Sequence, residues 1–420
     1  MKNILLTTAK KPSESCWSMD EKITPVGVLT IASILREAGH NVFFKDPYTD
    51  PSDDYNDEFL ESNSIDVVGI YFTTACKENV IRQLQHLKVR HPNVLRLVGG
   101  PGTSFLNYYK DREQFQWLAH HIVIGEADNQ ICDIVKKKAE VVFEDFIIDC
   151  GVTDDLENLP MPAYDLLDIN KYDYISISTS RGCPRACTFC CNMTIGGRKY
   201  RMISAQKIVN TIVYLQDVYD LKQVYFRENN FCISKKRTLE FCKLIKDNGI
   251  AINWRCEGSP KDLDFEVLFA MKEAGCNGIY IGFESGSQKV LDELKPGFTV
   301  EQNEVIASKC NQVGIPVYGS FIGGSPWETP EDLQLTLDFI KRHEFVTNWI
   351  NVFILMPGAP LYDNIPYVYE NEYGVRFTDK YNCYADRFYK NGVKFRVPNE
   401  IESPQDKDLI KGKPESLGYL

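Results

Sequence analysis

The chain has 420 residues, of which 44% are hydrophobic and 25% are charged, as in a folded globular protein with room for two domains. Its 47 basic and 58 acidic residues give a formal net charge of −11 at pH 7. This balance argues against a surface that binds nucleic acid or an anionic membrane as a whole.

The sequence contains no run of about 18 apolar residues, so no transmembrane helix is expected. The chain reaches Lys10 and Lys11 after only a few apolar positions, too few for the apolar core of a signal peptide. We therefore expect a cytoplasmic protein whose 14 cysteines do not form a disulfide framework. Cysteines that stand alone among apolar residues are expected to be small core residues, namely Cys76, Cys132, Cys242 and Cys310.

Residues 1–150 alternate between strand and helix patterns. Helical periodicity predicts helices at 26–38, 77–90 and 129–138. Short apolar runs predict strands at 3–6, 41–45, 66–72, 94–98 and 121–124. Continuous apolar strands that alternate with helices are typical of a parallel sheet covered on both faces, so we expect a doubly wound α/β domain.

Ligands bind such a sheet at the carboxyl ends of its strands, and small residues follow three of the predicted strands. These loops begin at Thr73, at Gly99 and at Gly125. The Gly99-Gly100 pair is equally compatible with a tight turn that binds nothing. No G-x-G-x-x-G motif opens the first helix, which disfavours a dinucleotide site.

A linker is expected at 151–172, because Pro160 and Pro162 interrupt regular structure there. A strand at 175–178 then leads into a loop with the spacing C-x3-C-x2-C, formed by Cys183, Cys187 and Cys190. Three thiolates at this spacing can share one metal centre, and thiolates suit zinc or an iron–sulfur cluster.

A closed zinc site needs a fourth ligand near these cysteines. Cys191 adjoins Cys190 and is expected to point away, and no histidine lies between His121 and His343. The sequence therefore favours a [4Fe–4S] cluster with one iron left open.

Strand and helix patterns continue after this loop. Strands are predicted at 223–226, 252–256, 278–282, 316–322 and 349–354, with helices between them such as 205–218, capped by Ser204, and 265–274. With the strand at 175–178 these make six βα units, which predicts a partial (β/α)6 barrel over 173–355 and a C-terminal extension over 356–420.

The cysteine motif, with Phe189 just before its third cysteine, resembles that of the radical S-adenosylmethionine (SAM) superfamily. Segments at the ends of the later strands resemble the same superfamily, at 197–201, 226–231, 254–258, 282–287, 320–329 and 356–362. The doubly wound domain ahead of the barrel resembles the cobalamin-binding subgroup, on the segments 25–28, 36–40, 99–101 and 125–126.

The resemblance implies three cofactors: a [4Fe–4S] cluster on Cys183, Cys187 and Cys190, SAM, and cobalamin. The residues that it implies for SAM are Phe189, Glu228, Asn229, Arg255, Glu284, Ser285, Ser320 and Gly323. Those that it implies for cobalamin are Pro25, Thr73, Thr74, Gly99, Gly100, Pro101, Gly125 and Glu126. Glu284 has an alternative interpretation as an acidic residue at a helix N-terminus.

The activity implied is reductive cleavage of SAM to a 5′-deoxyadenosyl radical, followed by methylation of an unactivated carbon. A small-molecule or peptide substrate and a low-potential electron donor (flavodoxin or ferredoxin) are implied as partners. Three alternatives stay open. They are a non-methylating radical reaction such as a rearrangement, cyclisation or oxidation; a tRNA methylthiotransferase, with further cluster ligands from Cys16, Cys76, Cys132 and Cys150; and a non-catalytic cobalamin or metal sensor.

Overall fold

The computed structural model describes residues 1–10, 22–110, 112–139, 146–370, 374–378 and 394–396. The first part of the chain forms a parallel sheet with the strand order β2-β1-β3-β4-β5-β6. Its strands are β1 (Asn3–Thr8), β2 (Asn41–Lys45), β3 (Val67–Tyr71), β4 (Leu95–Gly99), β5 (His121–Ile124) and β6 (Ile147–Asp149). Its helices are α1 (Val26–Glu37), α2 (Asp57–Ser62), α3 (Lys77–Arg90), α4 (Arg112–Leu118) and α5 (Ile131–Ile134).

Successive side chains of β1 pack into different apolar clusters, because side chains alternate between the two faces of a strand. Ile4 and Leu6 pack in the cluster that contains the buried side of α1, whereas Leu5 packs in the cluster that contains the buried side of α3. Helices therefore cover both faces of the sheet, which confirms the doubly wound fold predicted from the continuous apolar strands.

Three short elements of this part were not predicted: β6, α2 and α4. β6 has only three residues, none of them buried, so the run is too short to predict a strand. The helix predicted at 129–138 is wrong in extent, since α5 covers only Ile131–Ile134. Residues 136–138 are three lysines, which offer no apolar side chain to hold a further turn against the sheet.

The second part of the chain forms a parallel sheet that curves into a partial barrel. Its strand order is β7-β10-β11-β12-β13-β14-β18. These strands are β7 (Ile175–Ser176), β10 (Gln223–Phe226), β11 (Asn253–Gly258), β12 (Cys276–Glu284), β13 (Val317–Gly323), β14 (Thr347–Val352) and β18 (Lys394–Arg396). The six predicted strands are all present, and the seventh comes from the segment predicted as a C-terminal extension.

Two small antiparallel sheets accompany the barrel, one of β8 (Ser180–Arg181) with β9 (Arg201–Met202) and one of β15 (Ile354–Leu355), β17 (Arg376–Phe377) and β16 (Tyr369–Glu370). The helices of this part are α6 (Asn192–Gly196), α7 (Ala205–Tyr219), α8 (Lys235–Asp247), α9 (Phe265–Glu273), α10 (Gln288–Leu294), α11 (Val300–Val313) and α12 (Pro330–Arg342). Ser204 caps α7 as predicted, since its hydroxyl accepts a hydrogen bond from the backbone N–H of Lys207.

The predicted linker, 151–172, is packed rather than loose. Leu156, Ala163 and Tyr164 are buried in the apolar cluster that includes α1 and the outer face of the barrel. Ser33 of α1 donates to the carbonyl oxygen of Met161 at 2.6 Å. The linker therefore joins the cores of the two parts.

Cys76, Cys242 and Cys310 are buried in apolar clusters, as predicted, and Cys132 packs half-buried at the edge of one of them. No helix in the described part of the chain has both the length and the apolar composition to cross a bilayer. Cys16, Cys383 and most of the predicted extension lie outside the described residues.

Candidate active site

The three cysteines of the C-x3-C-x2-C motif lie on a loop that is held in place along its length. The N–H of Cys183 donates to the carbonyl oxygen of Gly197 at 3.1 Å, and the N–H of Thr188 donates to that of Leu294 at 3.0 Å. Gly182 starts the loop with φ +79°, and a Cβ there would overlap the carbonyl oxygen of Lys199. Only glycine fits this position without moving the backbone.

The sulfur atoms of Cys183, Cys187 and Cys190 could hold either a zinc ion or an iron–sulfur cluster, and these differ in the sulfur–sulfur distances they require. In a tetrahedral zinc site with bonds near 2.3 Å the sulfurs would lie about 3.8 Å apart. The sulfurs of Cys183, Cys187 and Cys190 do not all lie within 4.8 Å of one another, although such a cluster of donors occurs elsewhere in the described residues. Their separation is therefore wider than a tetrahedral zinc site requires. Cys191 packs against the apolar core of the first part, away from the other three, as expected.

Burial controls the protonation of these thiols. It raises the pKa of Cys187 to about 12 and also raises the pKa of Cys190. Buried thiols become ligands as thiolates, so the positive charge of the iron is needed to remove their protons. Lys295 and Glu284 act on Cys187 with opposite signs, which places this pair beside the cysteine loop.

Glu284 ends β12 in a left-handed conformation, with φ +65°. Its carboxylate is buried and lies 3.4 Å from the Nζ of Lys295, which also donates to the carbonyl oxygen of Gly282 at 2.6 Å. Burial raises the pKa of Glu284, and Lys295 opposes the rise. The next helix, α10, begins only at Gln288 and is preceded by Ser287, so Glu284 is not the acidic residue of a helix N-terminus.

Glu228 follows β10 and is held by hydroxyl groups of the strand that leads into the cysteine loop. Thr179 donates to its Oε1 at 2.5 Å, Ser180 donates to its Oε2, and Arg237 lies 3.8 Å away. Burial raises the pKa of this carboxyl group. These hydrogen bonds of Glu228 fix the start of the cysteine loop. The neighbouring Asn229 is exposed and lines a cavity described below.

The remaining residues predicted for SAM occupy different surroundings. Phe189 packs against an apolar cluster formed by α10, β13 and the chain after β14. Ser285 is fully buried, with its hydroxyl 3.2 Å from that of Thr336. Ser320 accepts a hydrogen bond from Asn351 at 2.9 Å, and Gly323 ends β13.

Arg255 lies in the middle of β11 rather than at its carboxyl end. Its guanidinium carbon is 5.1 Å from the ring centre of Tyr174 and 5.2 Å from that of Tyr318, so the barrel interior holds it between two aromatic rings. The structure does not bring Arg255 together with the cysteine loop, and its role in binding SAM stays a prediction.

A cavity of about 360 Å³ lies between the carboxyl edges of the two sheets. One end is a slot between α1 and the first sheet, lined by side chains such as Val28, Leu6 and Leu97. The other end reaches the cysteine loop at Gly182 and the end of β10. A Cβ on Gly27 of α1 would meet no protein atom within 4 Å and would project into this space.

Of the residues predicted for cobalamin, five line this cavity: Gly99, Gly100, Pro101, Gly125 and Glu126. Pro25 is the residue before α1 and adjoins lining residues. Thr73 and Thr74 do not line the cavity, because their hydroxyls bond to Cys76 and Tyr109 instead. A slot with apolar walls and a glycine-rich edge fits a bulky ligand of neutral surface, as cobalamin requires.

Glu126 contributes to the contact between the two parts. Arg201 donates to both of its carboxylate oxygens, at 2.7 and 2.8 Å, and Arg181 donates to Oε2 at 3.0 Å. Arg181 also makes two hydrogen bonds to Asp128, the shorter at 2.6 Å. Because Arg181 immediately precedes the cysteine loop, these bonds fix that loop against the edge of the first sheet.

The sequence model of the radical SAM superfamily matches residues 177–340, and that of the B12 binding domain matches residues 18–135. The chain therefore contains a radical SAM domain and a B12 binding domain, as the resemblance implied. This radical SAM enzyme therefore uses a [4Fe–4S] cluster, SAM and cobalamin, as the resemblance implied, and enzymes of this kind require a reductant.

The enzyme is similar to an uncharacterized methyltransferase of Pyrococcus horikoshii, at 27% identity over 81% of this chain and 78% of the relative. It is also similar to the hopanoid C-2 methylase of Rhodopseudomonas palustris (26% identity, 81% of this chain, 64% of the relative). A third relative is the anaerobic magnesium-protoporphyrin IX monomethyl ester cyclase of Rubrivivax gelatinosus (25% identity, 77% of this chain). The chain spans 63% of that relative, slightly less than two thirds, as for the hopanoid methylase.

Two solved structures share the fold. The radical SAM methyltransferase TsrM from Kitasatospora setae matches 93% of this chain and 89% of its own, with a TM-score of 0.73 at 14% identity. The cobalamin-dependent radical SAM enzyme OxsB matches 91% of this chain and 66% of its own, with a TM-score of 0.72 at 17% identity.

Several residues at the site were not predicted individually. Arg181, Asp128 and Lys295 stand outside the segments that carried the resemblance, whereas Arg201 lies inside one of them, at 197–201, without having been predicted as a site residue. Arg227 adjoins the predicted Glu228 and lines the cavity. A charged residue within one or two positions of a predicted site residue was the only signal available for Arg181, Arg227 and Asp128.

Proposed function

We propose that the enzyme transfers a methyl group from SAM, by way of cobalamin, to an unactivated carbon of a small molecule or peptide. The observation that carries the proposal is the cavity that joins the slot at α1 to the cysteine loop. When bound, the cluster and SAM supply a 5′-deoxyadenosyl radical and cobalamin supplies a methyl group. A single cavity allows both to reach the same substrate.

In this reaction the chain's own residues hold the cofactors and exclude water. Cys183, Cys187 and Cys190 hold the cluster, and the bonds of Arg181 to Glu126 and Asp128 fix its loop relative to the first sheet. Glu284 offers a carboxylate whose position is fixed by Lys295 beside the cluster, suited to the hydroxyl or amino groups of SAM. The apolar walls keep water from a radical.

A non-methylating radical reaction is the second candidate, favoured by the similarity to a cyclase. The mass of the product separates the two, since only methyl transfer adds one methyl group. A tRNA methylthiotransferase is disfavoured by the acidic balance of the chain. Of its candidate cluster ligands, Cys76 packs on one face of the first sheet whereas Cys132 and Cys150 pack on the other. A sensor is disfavoured by membership in an enzyme superfamily.

We further propose a reducing, cytoplasmic compartment and flavodoxin or ferredoxin as the electron donor. The twelve cysteines in the described residues are all free thiols, and an open iron site is destroyed by oxygen.

The experiment is anaerobic reconstitution of the full chain with iron, sulfide and hydroxocobalamin, followed by reduction and addition of SAM with a deuterated methyl group. We expect about four iron atoms per chain, 5′-deoxyadenosine, and deuterated methylcobalamin. Cys187→Ala should abolish the iron and the nucleoside but keep cobalamin. Cys191→Ala is the matched control and should keep all of them. A zinc-filled, colourless protein would contradict the proposal.

A further inference from the structure

The charged side chains that line the cavity differ in whether they have partners. Glu126, Asp128 and Arg181 bond to one another and to Arg201, and Glu228 is held by Thr179 and Ser180. The guanidinium of Arg227, at the carboxyl end of β10, forms no hydrogen bond or ion pair in the part of the chain that the structure describes, whereas its backbone N–H donates to the carbonyl oxygen of Tyr225. In a chain with 58 acidic residues, an arginine in a cavity without a carboxylate partner is a notable exception.

Two phenols lie in the first part of the chain at this edge, of which Tyr71 lines the cavity with Arg227 and Tyr48 does not. Tyr71 ends β3 and lines the cavity, and Tyr48 lies in the loop after β2. Neither hydroxyl has a hydrogen-bond partner among the described residues. Burial raises the pKa of Tyr48 to about 12 and raises that of Tyr71, while the charge of Arg227 lowers both, which places the guanidinium close to the two rings.

These three side chains supply hydrogen-bond donors that the protein leaves unused. A guanidinium carries five N–H donors, never loses its charge, and binds carboxylate or phosphate oxygens in pairs. Each neutral phenol adds one O–H donor. The surrounding walls are mostly apolar, so an anion that entered would be bound in a medium where charge-assisted hydrogen bonds are strong.

We propose that Arg227 and Tyr71, which line the same cavity, bind an anionic group, a carboxylate or phosphate, of the methyl-accepting substrate. This inference rests on the proposed function, because it assigns a substrate class to the same cavity. The substrate is then an amphipathic anion, with its charged end between the end of β10 and the first sheet and its apolar body along the cavity wall.

The probe is octanoate, and octanamide is its neutral isostere. Binding of each to the full chain, reconstituted with cluster and cobalamin, is measured by anaerobic calorimetry without reductant. We expect octanoate to bind about tenfold more tightly than octanamide, which is the effect of one charge-assisted interaction. Arg227→Met should remove this preference, and Arg227→Lys should keep part of it. Tyr71→Phe should reduce it two- to fivefold.

Arg82→Met is the matched control, since Arg82 is an exposed arginine on α3 that does not line the cavity. It should bind octanoate like the unmodified protein. Arg227 is itself exposed to the cavity, so Arg227→Met should melt at the same temperature as the unmodified protein.

SAM carries a carboxylate and cobalamin a phosphate, so their affinities are measured in the same variants. We expect Arg227→Met to change each by less than about twofold, well under the tenfold loss for octanoate. Equal binding of octanoate and octanamide to the unmodified protein would overturn the proposal. A loss of affinity for SAM or cobalamin as large as that for octanoate would also overturn it, by assigning Arg227 to that cofactor.

These measurements need no turnover, so they are separable from the test of the proposed function. An enzyme that failed to transfer methyl groups but preferred octanoate would keep the anion subsite and lose the methyltransferase assignment. An active methyltransferase that bound octanoate and octanamide equally would keep the methyltransferase assignment and lose the anion subsite.

Discussion

The carboxyl edges of the two sheets face the same cavity but are built differently. The edge of the first sheet is glycine-rich, with Gly99, Gly100 and Gly125 offering backbone rather than charge. The edge of the barrel carries buried carboxylates, Glu228 and Glu284, each fixed by partners from the chain itself. The difference indicates that the first edge selects its ligand by shape, whereas the barrel edge presents fixed polar groups.

The two edges are joined where Arg181 and Arg201 meet Glu126 and Asp128. Arg201 is 2% exposed and Asp128 is 3% exposed at their side chains, so water screens these charges little. Four paired charges at the mouth of one cavity hold the glycine-rich edge at a fixed distance from the cysteine loop. Each prediction below tests one part of this contrast.

The largest effect is expected from breaking this junction. Arg201→Met removes a buried partner and leaves Glu126 with part of its charge unpaired, which should lower the free energy of unfolding by about 3–5 kcal/mol. Urea denaturation followed by fluorescence measures it. The control is Arg36→Met, which breaks a bridge to Asp165 across the exposed side of the same contact and should cost under about 1 kcal/mol. Equal losses of unfolding free energy in the two variants would show that the buried ion pairs stabilise the protein no more than the exposed bridge does.

A second effect concerns the amino edge of the first sheet, opposite the glycine-rich edge. His120 is buried there and its Nδ1 accepts from the backbone N–H of Arg96 at 3.0 Å. Burial, aided by Arg96, lowers the pKa of His120 from 6.5 to about 4. Between pH 6.5 and about pH 4, His120 takes up a proton in the unfolded chain but not in the folded chain. His120 therefore leaves the free energy of unfolding unchanged above pH 6.5 and lowers it as the pH drops towards 4.

The loss attributable to His120 should approach about 3 kcal/mol at the acidic end of this window, from roughly 1.4 kcal/mol per pH unit. Urea denaturation at a series of pH values measures it. His120→Gln cannot take up the proton, so its stability should fall less steeply over the same range. Parallel pH profiles for the two proteins would contradict the lowered pKa.

The smallest effect is expected from a substitution at the glycine-rich edge of the first sheet. Gly125 has φ +79°, and a Cβ there would overlap the carbonyl oxygen of Gly151. Gly125→Ala should therefore cost about 1–3 kcal/mol and weaken cobalamin binding, measured by absorbance titration, while iron content stays unchanged. Gly249→Ala is the control, because Gly249 also has a positive φ but open space around it. It should cost about 1 kcal/mol, and an equal loss of cobalamin affinity there would contradict a local role for Gly125.

Much of the fold could be predicted from the sequence, because its strands are long apolar runs and its helices have clear periodicity and caps. The strands of the first sheet down to β5 and the six predicted barrel strands are all present near their expected positions. The elements that were missed, such as β6 and α4, are short, and their few buried side chains leave no periodic pattern. The seventh barrel strand, β18, is also only three residues long.

The site was predictable where its chemistry is local in sequence. The three cysteines lie within eight positions, so their spacing alone indicated a shared metal centre. Arg255 shows the limit of that approach, because it sits in a strand-end segment by sequence yet its side chain lies between Tyr174 and Tyr318 inside the barrel. Thr73 and Thr74 were predicted from their position after a strand, but local hydrogen bonds use their hydroxyls.

By itself the sequence predicted the two α/β units, the cysteine motif and the resemblance to the family, since these depend on periodicity and on residues that are close along the chain. Only the tertiary structure decided that Glu126 is an ion-pair partner of Arg201 and Arg181, and that Arg227 faces the cavity without one. The two ion pairs join residues 55 and 75 positions apart, and the unpaired state of Arg227 depends on which side chains lie near it. Charge pairing across such distances is set by how two packed sheets meet, which no local pattern encodes.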